Sequence, residues 1–325
     1  MPPPKVIEPK LVKLIKEYRV QNPLLSKQSL AKLIVKNENT IYKNAKAFGD
    51  IISVVENQPI PVSFEPDVIE FDIPNSLYEE YIPHILPASA NNILIINDVH
   101  IPFHDKNALL LALKHGKERD VNTIIVNGDL IDLYSQSRFN RLPKFRNTKV
   151  EIGYTKQFLT MLREKFPHAV IVYKEGNHEL RLKDFLMRNA PELYEIDEIK
   201  LDELLGLKKL RIDWIEDKRL IKVGKLFVIH GHEIFSGAGA INVARIIRLK
   251  TNENVIFGHF HKSQEDFQTS ISGKTIGSWS VGCLCGLNPQ YAPINQWNSG
   301  FAVVEVDKDE TFDVDNKLIV NGKVK

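Results

Sequence analysis

Apolar residues in the first fifty positions recur at helical intervals. Residues 9–20, PKLVKLIKEYRV, place apolar side chains three or four positions apart, and this spacing predicts an amphipathic helix. Asn22-Pro23 ends that helix, and Ser26 begins a second apolar pattern as its N-cap. The polar turn KNENT at 36–40 separates this second pattern from a third, which ends near Phe48. The sequence therefore predicts three short helices.

The pattern changes twice after these helices. Six prolines between residues 57 and 90 interrupt any regular period, which excludes a long helix and favours an extended connector. From residue 92 onward, short apolar runs alternate with loops and helical segments. We therefore predict a small helical domain at 1–56, a proline-rich connector at 57–90 and one large domain at 91–325.

Five runs rich in Ile and Val define the large domain. They are NILIIND, NTIIVNGD, AVIVYKEGNH, KLFVIHGH and NVIFGHFH. Continuous runs of this kind predict strands that are buried on both faces, and NALLLALKHGKER and YTKQFLTMLREKF predict the helices that cover them. In the alternating tail after residue 300, Asn321-Gly322 is a hairpin signal. The fold class is α/β, with additional antiparallel strands at its end.

Charge divides the chain in the same place as the pattern. The net charge of the 325 residues is +2, but residues 1–50 hold ten Lys or Arg and four Asp or Glu, a net charge of +6. A basic head on a mildly acidic body predicts that the head contacts a polyanion. Two helices joined by a polar turn resemble a helix-turn-helix module, so DNA or RNA is the expected partner. The alternative is a helical extension packed on the main domain.

Composition argues against several other classes of protein. No apolar run approaches the roughly 18 residues of a membrane span, and the start MPPPKVIEPK lacks the hydrophobic core of a signal peptide. Cys283 and Cys285 are too few for a disulfide scaffold or a four-thiolate zinc site. We expect a cytoplasmic protein in a reducing compartment, without a membrane partner.

Each of the five predicted strands ends in side chains that can bind a metal ion. These are Asp98 and His100, Asp129, Asn177 and His178, His230, and His259 and His261. Ligand sites of open α/β sheets lie at the carboxyl ends of the strands, and residues two apart on an extended segment point the same way. Mixed carboxylate, imidazole and amide donors suit manganese, iron or zinc better than calcium or magnesium. Seven ligands drawn from these eight side chains are too many for one ion with open positions, whereas two ions that share a carboxylate would use all seven.

The order of these motifs resembles a known family. DVH at 98–100, GDLID at 128–132, GNHE at 176–179, HGH at 230–232 and GHFH at 258–261 resemble the signature of the calcineurin-like metallophosphoesterases. The resemblance covers about residues 92–305. It implies a four-layer sandwich, in which two mixed β-sheets are flanked by helices, with a dinuclear metal centre at the strand ends.

The resemblance also implies roles for individual residues. One ion would be held by Asp98, His100 and His261. The second ion would be held by Asn177, His230 and His259. Asp129 would bridge both ions, and His232 is not expected to be a ligand, because the family uses the His directly before the Gly. His178 matches the catalytic histidine and Asp132 its carboxylate partner.

These roles predict hydrolysis of a phosphoester. Two cations clamp a phosphoryl group, and a hydroxide that bridges them attacks phosphorus. His178 would protonate the leaving oxygen, and Asp132 would orient the ring and keep it protonated. We expect two Mn²⁺ ions, with iron, zinc, nickel or cobalt as alternatives.

Residues near the motif ends are candidates for substrate binding. Arg138 in SQSRFN and Arg181 in GNHELR could bind phosphate through their guanidinium groups, with surface ion pairing as the alternative. His104 and Tyr134 could line the cleft. Leu133 stands where protein phosphatases of this superfamily carry an arginine, which argues against a protein substrate.

The substrate class remains open at the level of sequence. The regions GDLIDLYSQSRF and GCLCGLNPQYAPINQWNSGFAVVEV resemble phosphoesterases of phage and mobile elements. Together with the basic helices, this resemblance favours a phosphodiesterase or nuclease acting on nucleic acid or nucleotides. The alternatives are a phosphomonoesterase, a dinucleoside-polyphosphate hydrolase, and a DNA-binding regulator whose phosphoesterase domain is vestigial.

Overall fold

Two amphipathic helices near the N terminus pack their apolar faces together. Helix α1 spans Pro9–Gln21 and α2 spans Lys27–Asn37. The Oγ of Ser26 accepts a hydrogen bond from the backbone N–H of Ser29 at 3.2 Å, so Ser26 caps α2 as predicted. The buried residues of this unit form one cluster, composed of Ile15, Leu30, Ala31, Ile34, Ile52 and Val55. The first two predicted helices are confirmed.

The computed structural model describes residues 9–37, 49, 51–53, 55, 74–140, 142–234 and 241–325. These residues form two compact units that divide between Leu77 and Tyr78. We call them the N-terminal unit and the C-terminal unit. The predicted helix that ends near Phe48, and with it the second half of the helix-turn-helix prediction, lies outside the described residues.

Part of the predicted connector belongs to a sheet. Residues 74–83 contain no helix or strand, whereas His84–Ile85 forms strand β1. Residues 56–73 lie outside the described part of the chain. Among the described helices, none has the length and apolar character that crossing a membrane requires.

The larger of two sheets has seven strands in the order β13-β12-β11-β2-β3-β4-β5. Its parallel half consists of β2 Asn92–Ile96, β3 Thr123–Asn127, β4 Val170–Lys174 and β5 Ile212–Ile215. Its antiparallel extension consists of β11 Ser299–Val306, β12 Phe312–Val320 and β13 Lys323–Val324. Asn321 and Gly322 have φ angles of 52° and 69° between β12 and β13, so the predicted hairpin turn is confirmed.

The second sheet has six strands in the order β1-β6-β7-β8-β10-β9. Besides β1 it contains β6 Ile221–Val223, β7 Leu226–Ile229, β8 Val255–Phe257, β9 Gln264–Thr269 and β10 Thr275–Ser280. Strands β7 and β8 are parallel, and so are β8 and β10. Both sheets are therefore mixed.

Helices cover the outer face of each sheet. They are α3 Lys106–Glu118, α4 Thr148–Lys165, α5 Leu180–Asn189, α6 Leu201–Leu205 and α7 Val243–Thr251. Leu94 and Ile96 of β2 pack in a cluster with residues of α3, α4 and α6, while Ile93 and Ile95 pack against the second sheet. Continuous Ile and Val runs are required because both faces of these strands are buried. The predicted four-layer sandwich is confirmed.

Candidate metal centre

The strand ends that carry the predicted ligands have an uncommon backbone conformation. Five of the seven predicted ligands lie in the left-handed region, with φ between 51° and 69°; they are Asp98, His100, Asp129, His259 and His261. Each such non-glycine residue costs on the order of 1–3 kcal/mol, and such strain is concentrated at functional sites. We predicted that residues two apart converge because the chain is extended. This reason is wrong for both pairs, since left-handed turns aim these side chains.

Asp98, His100 and His261 form the first donor group. Asp98 Oδ1 lies 3.2 Å from His261 Nε2 and 3.9 Å from His100 Nε2. The two imidazole Nε2 atoms are 3.2 Å apart. All three side chains are buried, so the structure brings together the residues that the resemblance assigned to one ion.

Asp129, His230 and His259 form the second donor group, and their ligand atoms lie within 4.8 Å of one another. Asp129 Oδ2 is 3.3 Å from His230 Nε2 and 3.8 Å from His100 Nε2. The carboxylate of Asp129 therefore reaches a member of each group. This is the position that a bridging ligand requires.

Backbone contacts hold the two groups in register. His178 N–H donates to Asp129 Oδ1 at 2.9 Å, which sets the GNHE turn, and with it Asn177, against Asp129. Gly128 has φ 81°, and a Cβ added there would lie 2.9 Å from the Cα of Gly176. The close approach of these two turns explains why both motifs carry glycine.

Several donor atoms of the site lack a protein hydrogen-bond partner and are suited to bind a metal ion. Asp98 Oδ1, Asn177 Oδ1 and His230 Nε2 are buried and make no hydrogen bond within the described residues. Buried polar atoms are normally paired, because leaving them unpaired costs free energy. His230 Nδ1 lies 2.7 Å from the carbonyl oxygen of Asn127, which fixes the proton on Nδ1 and turns Nε2 inward. The donor set fits two divalent cations.

Electrostatics in the two groups favours cations. Burial opposes charge on His230, yet the carboxylates, led by Asp129, raise the pKa of His230 to about 10. Burial likewise opposes charge on His261, and Asp98 raises the pKa of this ring to about 10. Conversely, these imidazoles lower the pKa of the Asp98 carboxyl against the opposing effect of burial. The carboxylates of the centre are buried negative charges, which protons or metal ions must neutralise.

His178 and Asp132 lie together at the edge of the centre. His178 Nδ1 is 3.1 Å from the carbonyl oxygen of Asp132 and 3.5 Å from its Oδ2, and Nε2 is 3.7 Å from Asp129 Oδ2. Asp132 is therefore in position to orient the ring. Burial, however, lowers the pKa of His178 against the opposing charges of Asp129 and Asp132. The direction of this shift runs against our prediction that Asp132 keeps the ring protonated.

The two arginine candidates lie in different environments. Arg181 is mostly buried; its Nη1 donates to Asp132 Oδ1 at 3.0 Å, and its Nη2 lies 2.8 Å from His178 Nε2. Arg138 is exposed and lies over the ring of Phe139 at 5.3 Å. Both line a small cleft of about 230 Å³ together with Asn177. Arg181 thus has an ion-pair partner, but one that belongs to the centre rather than to the surface.

Glu179 is a residue of the site whose role the sequence reasoning missed. Its carboxylate accepts hydrogen bonds from the backbone N–H groups of Asp129, Leu130 and Gly176 at 2.8–2.9 Å and from Tyr173 Oη at 2.7 Å. It is 1% exposed. This single side chain joins the GDLID and GNHE turns, and its place as the last letter of GNHE was the only available signal.

A buried ion pair supports the HGH turn and was also missed. Glu233 accepts hydrogen bonds from the backbone N–H of His230 at 3.0 Å and of Gly231 at 2.6 Å. Lys174 Nζ lies 2.8 Å from Glu233 Oε1, and its side chain is fully buried.

Burial lowers the pKa of His232 to about 3, and neither ring nitrogen has a hydrogen-bond partner in the described chain. The ring centroid of His232 lies 5.4 Å from that of His230.

Comparison with known proteins identifies relatives. The chain is 28% identical over 236 residues to the Gene 54 protein of Mycobacterium phage L5, a match that covers 67% of this chain and 90% of that protein. The Gene 54 protein of Mycobacterium phage D29 is also 28% identical, over 231 residues, with the same shares of coverage.

Two solved structures match the chain with TM-scores below 0.5. Vps29 from Entamoeba histolytica, determined as a single mutant, has a TM-score of 0.39 at 17% identity and covers 72% of this chain and 96% of its own. The phosphoesterase YfcE from E. coli has a TM-score of 0.35 at 14% identity and covers 69% of this chain and 98% of its own.

The sequence profile of one family matches more than half of the chain. Its match spans residues 92–265, which include all seven predicted ligands, His178 and Asp132. The chain belongs to the calcineurin-like phosphoesterase family.

Proposed function

We propose that this chain hydrolyses phosphodiester bonds of nucleic acid or nucleotides with the help of two divalent cations. The observation that carries the proposal is the position of Asp129 Oδ2, which is 3.3 Å from His230 Nε2 and 3.8 Å from His100 Nε2. One carboxylate thereby connects two groups of metal-type donors. Membership in the family supports phosphoester hydrolysis as the reaction class.

The proposed ligands divide as the two groups do. Asp98, His100 and His261 would hold one cation. Asn177, His230 and His259 would hold the other. Asp129 would contact both. When bound, two such cations clamp a phosphoryl group and lower the pKa of a water molecule between them, and manganese suits this mixed donor set.

The chain's own residues then act on the leaving group. Hydrolysis forms a P–O bond to water and breaks the P–O bond to the leaving alkoxide, which must receive a proton. His178 is the proposed donor in its imidazolium form, because Nε2 is 3.7 Å from Asp129 Oδ2 at the edge of the centre and Nδ1 is held by Asp132. The ring would recover this proton from the water that is cleaved, or from solvent, before the next turnover. Arg181 contacts both His178 and Asp132 and also lines a cavity beside them.

The basic N-terminal unit supports nucleic acid as the substrate. Six lysines on α1 and α2 are exposed: Lys10, Lys13, Lys16, Lys27, Lys32 and Lys36. Exposed lysines bind phosphate backbones without regard to sequence, at a strength that depends on salt. We propose that this unit holds DNA or RNA while the C-terminal unit cuts it.

A substrate panel with the full-length chain and Mn²⁺ tests the proposal. Bis(p-nitrophenyl) phosphate and p-nitrophenyl phosphate share a leaving group, so their ratio of kcat/KM separates diesters from monoesters. We expect the diester to be preferred, single-stranded DNA or RNA to be cut, and a chelator to abolish both activities. Asp129→Asn, with its folding checked by circular dichroism, is the control for contaminating enzymes.

Two outcomes would contradict the proposal. Faster hydrolysis of the monoester, or of a dinucleoside polyphosphate over any nucleic acid, would reject the diester assignment. Full activity of Asp129→Asn would reject the metal centre itself.

A further inference from the structure

A cavity of about 920 Å³ opens beside the candidate metal centre. Its floor includes His100, Asp132, His178 and Arg181, so it is continuous with the proposed reaction site. Small-molecule sites in proteins span about 300–1,000 Å³, and this cavity is near the upper end of that range. It has room for more of a substrate than the phosphoryl group alone.

Aromatic rings make up one wall of the cavity. The ring of Phe103 lies 5.4 Å from that of Tyr134 and 5.8 Å from that of Phe145, with interplanar angles of 56° and 90°. Tyr134 and Phe145 are 6.0 Å apart at 82°. Phe145 is 42% exposed. The ring of Phe145 packs edge to face against the other two rings, and it remains accessible for another ring to stack upon it.

A second aromatic pair connects the cavity to a proposed metal ligand. Trp297 packs on His261, with ring centroids 4.2 Å apart, and Tyr291 lies 6.3 Å from Trp297. Tyr291 is 66% exposed. Exposed aromatic side chains concentrated in one concave patch mark a binding surface, since scattered surface positions rarely produce such a group.

Polar side chains among these rings indicate which class of ligand the cavity can bind. Asn140, Asn288 and Gln290 line the cavity, and each amide offers both donors and acceptors of hydrogen bonds. Lys144 also lines it and places Nζ 4.8 Å from the ring of Phe145. A lipid chain would leave these amides without partners. A flat heterocycle joined to a phosphate would satisfy the rings, the amides and the ammonium group together.

We propose that this aromatic cavity binds an unstacked nucleobase next to the phosphate that is cleaved. The inference rests on the proposed phosphodiesterase function and adds a specificity to it. Bases in a duplex are paired and stacked, and they enter such a pocket only after extrusion from the helix. The site therefore favours single-stranded nucleic acid or nucleotide esters over duplex DNA.

Two esters with one leaving group test the nucleobase site. Thymidine 5′-(p-nitrophenyl phosphate) and methyl p-nitrophenyl phosphate differ in whether a nucleoside or a methyl group accompanies the scissile bond. Base–aromatic stacking contributes about 1–3 kcal/mol per base, so we expect the full-length chain with Mn²⁺ to show a kcat/KM about 5–150-fold higher for the nucleoside ester.

Variants of the exposed rings locate the effect. Phe145→Leu and Tyr291→Leu should lower kcat/KM for the nucleoside ester several-fold and leave the methyl ester unchanged. Tyr154→Leu is the matched control, because Tyr154 is 52% exposed on α4 and does not line the cavity. Two separate positions keep the test valid if one variant folds poorly.

The outcomes separate this inference from the function on which it rests. Equal kcat/KM for the two esters, or loss of both in the ring variants, would overturn the nucleobase site while leaving the phosphodiesterase intact. No hydrolysis of either ester would overturn the function itself. Duplex DNA cut as fast as a single strand of the same sequence would also reject the inference. If these results support the nucleobase site, faster hydrolysis of the single-stranded oligonucleotide than of the nucleoside ester assigns a polymer substrate. Faster hydrolysis of the nucleoside ester assigns a free nucleotide as the substrate.

Discussion

Arg181 and His178 are joined by a hydrogen bond of 2.8 Å between guanidinium Nη2 and imidazole Nε2. Because a guanidinium can only donate, Nε2 of His178 is the acceptor and the ring proton resides on Nδ1. Nδ1 in turn faces the carbonyl oxygen of Asp132 at 3.1 Å. Arg181 therefore sets the orientation of the His178 ring and the tautomer of its neutral form, and this contact must open when Nε2 takes up the proton that the ring is proposed to donate.

Replacing Arg181 by lysine should reveal this positioning role. Arg181→Lys keeps the positive charge but loses the fork that binds Asp132 and His178 together. We expect kcat for an alkyl diester, which needs a protonated leaving group, to fall about 10- to 100-fold, since a positioned acid contributes about 10²–10⁴-fold. The aryl diester should change little, because its leaving group needs no acid.

Steady-state kinetics with both diesters measures the effect, and nitrogen-15 NMR of the histidine rings reads the tautomer directly. Arg245→Lys on the exposed side of α7 is the matched control. An equal loss on both diesters, carried by KM alone, would assign Arg181 to phosphate binding instead.

Removal of Glu179 should destabilise the centre from within. Glu179→Ala would strand the buried N–H groups of Asp129, Leu130 and Gly176, and each unsatisfied donor costs about 1–3 kcal/mol. We expect the free energy of unfolding in urea to fall by at least about 3 kcal/mol. The exposed Glu192→Ala should change it by less than about 0.5 kcal/mol. Similar effects of the two variants would show that the Glu179 contacts contribute little.

The strand ends of the C-terminal unit could be predicted from the sequence, and the buried contacts beneath them could not. Apolar runs ending in Asp98, Asp129 and His230 reveal their positions because burial on both faces requires a continuous hydrophobic pattern. Glu179 contacts Asp129 and Leu130 about fifty positions away along the chain. No local period reports a contact of that range.

The left-handed turns were unpredictable for a related reason. Asp98 and His259 have φ angles of 51° and 69°; aspartate and histidine adopt this region more often than most residues do, but still uncommonly. Tertiary contacts impose them: Asp98 Oδ2 accepts a hydrogen bond from the backbone N–H of His259 at 2.8 Å. Local rules fail here because the site overrides them, as is usual where backbone strain serves a function.

Glu151 should make stability depend on pH. This residue is 2% exposed, and burial, with a contribution from the charge of Asp132, raises the pKa of its carboxyl from 4.5 to about 7, while the backbone N–H of Tyr134 opposes the shift. Folding therefore favours the protonated acid. Its contribution to stability is complete below about pH 4.5 and is lost as the pH rises through 7.

Substitution by glutamine tests this dependence. Glu151→Gln keeps an acceptor for Tyr134 N–H and cannot ionise, so it should unfold at a higher urea concentration than the native chain at pH 8 and lose that advantage at pH 5. Unfolding curves at pH 5, 6, 7 and 8 measure the difference. Glu164→Gln, exposed on the same helix, should give a difference that does not vary with pH. A constant difference for Glu151→Gln as well would contradict the assigned shift.

Exposed lysines of the N-terminal unit should control affinity for nucleic acid without affecting chemistry. Replacing Lys10, Lys13 and Lys16 of α1 by glutamine in the full chain removes three positive charges from a helix that stays amphipathic, because its buried contact is made by Ile15. If each lysine neutralises one phosphate of single-stranded DNA, the slope of log affinity against log salt should fall by about 0.7 per lysine. Hydrolysis of bis(p-nitrophenyl) phosphate should be unchanged, since a small ester needs no contact with this unit. The matched control replaces Lys149, Lys156 and Lys165, three exposed lysines of α4. Equal loss of affinity in both triple variants would mean that binding depends on the overall charge of the chain and not on the α1 lysines in particular. An unchanged slope in the α1 variant would show that this helix does not bind nucleic acid.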